Sequence, residues 1–220
     1  RTTQGDEPHS IHGVGWQRTW SVGSHDAVHV QLTYNHQADD CWPFPFTATQ
    51  TISIEGNDLF LQLSYRNTGK EPSPVGLGWH PYFVKRPGAR LAYQTGGRWE
   101  TAADKLPTHR TECVGFSGQC AGLTVDHCHD GWTGIAELSD EKMRIRVSSH
   151  TNYLVVFTHP VVDFVAIEPV SHISNAQQLA AGAGINPSAF GIHELEVDEV
   201  VNLNMKLQIS AMDGQIGDLS

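Results

Sequence analysis

The sequence predicts an all-β fold, a sandwich or barrel, and three observations carry that prediction. Period-two alternation of apolar and polar residues recurs along the chain, helical periodicity is nearly absent, and 21 Gly and 11 Pro punctuate the segments. Val28, Val30, Leu32 and Tyr34 alternate with His29, Gln31 and Thr33, so one face of that strand is apolar. Ile52 and Ile54 lead into Glu55-Gly56-Asn57-Asp58, and Leu59, Leu61, Leu63 and Tyr65 alternate beyond it. That pattern predicts a β-hairpin with a four-residue turn. Met143, Ile145 and Val147 alternate after the turn residues Ser139-Asp140-Glu141-Lys142. Tyr153 to Phe157 and Phe164 to Ile167 are continuous apolar runs, as strands buried on both faces are. Val201, Leu203, Met205, Leu207 and Ile209 give the cleanest strand. One short helix is expected, Asn175 to Ala181, stopped by Gly182 and Gly184. The stretches 87–123 and 172–191 read as long loops, whose length suggests function or decoration.

Composition narrows the function classes. A chain of 220 residues, 39% hydrophobic and 17% charged, fits one domain over 1–220 with a sizeable core. The formal charge is −10, and no basic cluster exceeds a dipeptide such as Lys85-Arg86. Nucleic acid and anionic membrane both need positive charge, so neither is an expected partner. A neutral small molecule is. Cys41, Cys113, Cys120 and Cys128 form no Cys-x-x-Cys and no disulfide framework, so reduced thiols are expected. With neither a signal peptide nor an apolar run of membrane-spanning length, a soluble, cytoplasmic protein is expected. No pattern speaks to the oligomeric state. The opening at Arg1, with polar residues through Glu7, reads as a start inside a longer protein.

Chemistry concentrates in a few segments. His80 sits in Gly76-Leu77-Gly78-Trp79-His80-Pro81-Tyr82-Phe83, and Glu168 closes the run Asp163-Phe164-Val165-Ala166-Ile167-Glu168 before Pro169. A histidine titrates near neutrality and a positioned carboxylate is a competent base, so the pair suits two-sided proton transfer. A structural histidine and a solvent-facing carboxylate at a strand end are the alternatives. Ser10-Ile11-His12-Gly13-Val14-Gly15-Trp16, with Trp20 four residues on, offers an aromatic platform for a sugar or a loop that covers the core. Trp42-Pro43-Phe44-Pro45-Phe46 reads as wall and core. His127 and His129 would share one face of an extended segment and could chelate. The cupin pattern needs a glutamate four or five residues past the second histidine; Thr133 and Gly134 stand there. No metal site is expected.

Taken together these segments resemble the aldose 1-epimerase (galactose mutarotase) family, in its bacterial branch. The resemblance rests on Ile11-His12-Gly13 through Trp20, Trp42 to Phe46, Leu77 to Phe83, Asp126 through Gly131-Trp132-Thr133-Gly134, and Ile167-Glu168-Pro169-Val170-Ser171-His172. It runs from about His9 to Ile209, and the His-Pro-Tyr-Phe and Glu-Pro-Val-Ser-His motifs in this order make it specific. It implies a galactose mutarotase-like supersandwich of antiparallel sheets, here without the family's opening strands. It also implies roles. His80 matches the general acid on the ring oxygen, Glu168 the general base, His12 a second histidine that binds sugar oxygens, and Asp126 a hydroxyl-binding aspartate. Trp16 and His172 are expected neighbours. Relatives carry an upstream Asn-Arg segment whose arginine binds the sugar, and this chain starts after it.

The implied reaction is the interconversion of α and β anomers of a neutral hexose. Neither metal nor nicotinamide is required, because it contains no redox step and no hard leaving group. Three rivals stand beside it. A hexose-6-phosphate 1-epimerase needs a cationic pocket, for which Arg18, Lys85, Arg86 and Arg98 are candidates. A non-catalytic carbohydrate-binding module would tolerate loss of His80 or Glu168. A metal-dependent β-sandwich enzyme would need ligands that the sequence does not space correctly.

Overall fold

The computed structural model describes residues 11–212, so the polar opening lies outside the described residues. The strands, in chain order, are β1 (Ser21–His25), β2 (His29–His36), β3 (Phe46–Glu55), β4 (Asp58–Asn67), β5 (Ser73–Val75), β6 (Tyr82–Val84), β7 (Arg90–Tyr93), β8 (Gly97–Thr101) and β9 (Pro107–Glu112). They continue as β10 (Phe116–Gln119), β11 (Val125–Asp130), β12 (Ile135–Ser139), β13 (Met143–Ser148), β14 (Tyr153–Thr158), β15 (Phe164–Val170), β16 (His193–Leu195) and β17 (Val200–Ala211). One helix, α1 (Ala176–Ala183), follows β15. A nine-stranded sheet, ordered β1-β2-β3-β4-β17-β13-β12-β7-β10, packs on a six-stranded sheet, β6-β15-β14-β11-β8-β9, and β5 pairs with β16 apart from both. Every described pairing is antiparallel. The fold is the expected sandwich.

The alternation read from the sequence sets the packing. Met205 of β17 and Val147 of β13 meet Leu154, Val156, Val165 and Ile167 of the smaller sheet in one core. A second core, under β2–β4, gathers Phe46, Tyr65, Leu77 and Leu203 with Trp20 and Trp42 packed against it. Burying a side chain of this size contributes roughly 1.5–3 kcal/mol. The β3–β4 hairpin is tighter than expected. Glu55 pairs with Asp58, which leaves only Gly56 and Asn57 in the turn, and Gly56 takes a φ of +59° that a side chain would resist. The helix also departs slightly: it runs through Gly182 and stops at Gly184, whose left-handed conformation returns its N–H to Ala180 and Ala181.

The stretch 87–123 is not a loop. It carries β7, β8, β9 and β10, which supply the far edges of both sheets. Their strands are four to six residues long and interrupted by glycine and proline. Pairing with β12 and β11 holds them extended, where local alternation alone does not. The stretch 172–191 is indeed mostly connection, carrying α1 and one short 3-10 turn at Pro187–Phe190.

Candidate active site

A short pairing outside the named strands brings the two key residues together. Ser171 N–H donates to Leu77 O at 2.8 Å, Trp79 N–H donates to Pro169 O at 3.0 Å, and Gly78 bridges Val170. Trp79 Nε1 anchors the same segment to Leu203 O at 3.1 Å. Glu168 therefore lies inside β15, not at its end as the sequence suggested. Proline does not stop the strand because the N and O of one residue point to the same side. Leu154 of β14 pairs with Pro169 from the other side, and Trp79 requires only the carbonyl. The next residue after Trp79 is His80, which is thus delivered to the gap beside Glu168.

The contacts there are close. His80 Nε2 lies 3.2 Å from Glu168 Oε1, with the Glu168 side chain 9% exposed and that of His80 30% exposed. The Tyr82 ring stacks on the imidazole at 4.6 Å, and its hydroxyl is 3.4 Å from the same Nε2. His12 stands edge-on to His80 at 4.8 Å and to Trp16 at 5.5 Å. Holding His12 there takes a left-handed backbone, φ +59°, followed by Gly13 at +63°. Such a conformation is uncommon for a residue other than glycine. Tyr82 was not singled out by sequence reasoning, yet the signal was present: residues two apart in an extended segment share a face.

Burial dominates the electrostatics. Glu168 is pushed up to about 8 by desolvation, with the Asp126 charge adding to the effect. His80 is lowered by desolvation and then by His12, while its own backbone pulls weakly the other way. Both groups thus favour their neutral forms, and together they hold one mobile proton over the range between them. Nδ1 of His80 is buried without a hydrogen-bond partner, so Nε2 is the nitrogen that meets Glu168 and Tyr82.

The remaining candidates divide. Asp126 is exposed on β11 and acts on Glu168 through its charge. Trp16 stays 46% exposed beside His12. Trp20, by contrast, joins the second core and donates to Gly15 O at 2.8 Å, so the platform is one tryptophan and not two. The His172 ring lies over Gly76, where a Cβ would come within 2.2 Å of it, and its Nδ1 is 3.3 Å from the Ser171 hydroxyl. Phe46 is core, while Pro43, Phe44 and Pro45 line an open groove of about 820 Å³ away from His80. His129 is buried beside Tyr93 with Nδ1 3.3 Å from Leu154 O, and His127 Nε2 lies 3.7 Å from Glu100. Each of the four cations considered for a phosphate is engaged: Arg18 with Asp39, Lys85 with His159 O, Arg86 with Asp140, and Arg98 with Glu100. Among the described residues no helix is long and apolar enough to cross a membrane.

Comparison with known proteins identifies a family and a fold. The sequence profile of the aldose 1-epimerase family matches residues 1–189. The uncharacterized protein YphB of Escherichia coli K12 is 27% identical over 184 residues, 76% of this chain. The chain spans 62% of that relative's length. A crystal structure of an Escherichia coli K12 protein superposes with a TM-score of 0.85 at 23% identity, covering 96% of this chain and 75% of that one. The galactose mutarotase-like protein of Clostridium acetobutylicum gives 0.79 at 18%, over 92% and 69%. The galactose 1-epimerase of Lactobacillus acidophilus NCFM gives 0.73 at 15%, over 94% and 71%. At these identities the structural likeness speaks to the fold.

Proposed function

This chain belongs to the aldose 1-epimerase family, and on that premise we propose that it interconverts the α and β anomers of a neutral hexose. The observation that carries the proposal is the 3.2 Å contact between His80 Nε2 and Glu168 Oε1. With the shared proton on His80 and Glu168 ionised, Glu168 takes the proton from the anomeric hydroxyl, and O1 becomes a carbonyl oxygen. The C1–O5 bond breaks, its electron pair moves to O5, and O5 takes the proton from His80 Nε2. Rotation about C1–C2 exposes the other face of the aldehyde. O5 then returns its proton to His80 as it attacks C1, and O1 recovers a proton from Glu168. After ring opening the pair is a neutral carboxylic acid and a neutral imidazole, the forms that burial favours.

In this reading His12 and Asp126 take sugar hydroxyls, and Trp16 and Tyr82 wall the ring. The ring contacts of His12 with His80 and Trp16 and of Tyr82 with His80, and the effect of the Asp126 charge on Glu168, support it. Asp126 and His12 are the ionisable neighbours that act on Glu168 and His80, and neither is a fixed cation. With Arg18, Lys85, Arg86 and Arg98 committed elsewhere, a free sugar is favoured over its 6-phosphate.

Polarimetry of freshly dissolved α-glucose and α-galactose, repeated on the 6-phosphates and across pH, tests this. Rotation should change faster with the neutral sugars, and the rate should be bell-shaped. The acid limb falls below the depressed value of His80, where the pair gains a second proton. The alkaline limb falls above about 8, where it loses its only one. No acceleration on either neutral sugar would sink the reading.

A further inference from the structure

A second site stands on the same face of the smaller sheet, beyond the buried Cys128, which pairs through Val155 with the row of Glu168. It is a cavity of about 480 Å³, within the size range of small-molecule sites. Trp99 and Phe190 meet edge to face at 5.5 Å and form an apolar corner, with Tyr153 beside them. Arg110 lies across the floor. Its Nε is 3.0 and 2.8 Å from the two oxygens of Asp130, and Nη2 is 2.8 Å from Oδ1. Trp99 Nε1 donates to Asp130 Oδ2 at 2.8 Å.

This arrangement is built for something. The guanidinium occupies the space over Gly97, where a Cβ would stand 2.4 Å from Cζ. A guanidinium has five N–H bonds. Nε–H and one hydrogen of Nη2 are spent on Asp130. The Nη1 amine and the outer Nη2 hydrogen have no protein acceptor among the described residues, and the Arg110 side chain is 41% exposed. Asn152, exposed on the rim, adds an amide. Because Arg110 and Asp130 neutralise each other, the cavity offers little to an anion or a cation. Fixed hydrogen-bond donors at the edge of aromatic walls suit a ring with an apolar face and hydroxyls around it.

We propose that this cavity binds a neutral saccharide ring, separately from the His80–Glu168 pair. The site carries no proton-transfer pair of its own, so it holds sugar without converting it. The proposal is independent of the catalytic reading and is tested without activity.

The probes are methyl β-D-galactopyranoside and methyl α-D-glucopyranoside, whose locked anomers cannot turn over. The readout is the Trp99 indole N–H resonance during titration of the full chain, with inorganic phosphate as the anionic control. One glycoside or both should shift that resonance saturably, with a dissociation constant on the order of 1 mM. Glu168→Gln should retain the shift. Ala189→Trp, which fills the cavity from an exposed position, should abolish it, and Arg110→Met should weaken it at least about tenfold. Melting temperatures of both variants establish that they are folded. A structural bridge would give no saturable shift in the wild type, and that overturns the proposal. So would a shift that survives Ala189→Trp, or a tighter response to phosphate than to either glycoside. Shifts confined to His80 and His12 would sink this site while leaving the catalytic reading intact.

Discussion

Glu168 and His80 are each driven toward neutrality by the same burial, and only their 3.2 Å contact lets one proton serve both. Replacing either should therefore separate chemistry from folding. Glu168→Gln keeps the shape and an acceptor but cannot take a proton. Mutarotation should fall at least about a hundredfold, the usual worth of a positioned acid–base group. Its stability at pH 8 should not fall and is expected to rise, because a buried carboxyl costs the fold as it ionises and an amide does not. His80→Asn should lose the rate and the acid limb while keeping its melting temperature. Polarimetry and calorimetry on the same preparations check both. A Gln variant within about threefold of wild type would remove Glu168 from the mechanism, since one such group is worth far more.

The segment 77–79 is the element on which the site depends, and glycine makes its path possible. Gly76 lets the His172 ring lie against the chain; a Cβ there would meet that ring at 2.2 Å. Gly76→Ala should cost about 1–3 kcal/mol, the range for overpacking. It should also lower kcat, because the displaced ring pushes on Leu77 and so on His80. A variant that loses stability but keeps its rate would show that the segment is held by Trp79 and Ser171 alone. Glycines at 76 and 78 signal a close approach in the sequence, but the ring that Gly76 admits is not visible there. The strands β3, β4 and β17 were legible because their alternation is long and one-sided. Strands β7 to β10 were not, since runs such as Arg90–Tyr93 are too short to show a period and are extended only by their partners. The site divides the same way. His80 and Glu168 lie in distinctive local runs, whereas the pairing of 77–79 with 169–171 is a tertiary fact. His172, an expected neighbour, lies against Gly76 of that segment, and Tyr82 took a place beside the imidazole.

Across the whole molecule, burial of titratable groups sets how stability depends on pH. His129 and His172 are both pushed down to about 4, chiefly by desolvation. The fold keeps them neutral while the unfolded chain takes up protons below about pH 6.5, so their contribution is intact above that pH and lost as pH falls toward 4. Each is worth on the order of 3 kcal/mol when fully lost. Glu168 works in the opposite direction. The fold holds its proton up to about 8 while the unfolded chain releases it near the usual carboxylate value, so stability declines as pH rises to about 8. Between pH 4.5 and 6.5 the two histidines outweigh the one carboxyl, and above 6.5 the carboxyl acts without them. Thermal stability should therefore peak near pH 6.5. Calorimetry at intervals from pH 4.5 to 8.5 should show a fall on both sides of that peak. Glu168→Gln should flatten the alkaline side and leave the acid side in place, whereas His172→Gln should make the acid side shallower and leave the alkaline side unchanged. A wild-type melting temperature that climbs steadily from pH 6.5 to 8 would mean that Glu168 is ionised in the fold, and the shared proton at the centre of the proposed mechanism would go with it.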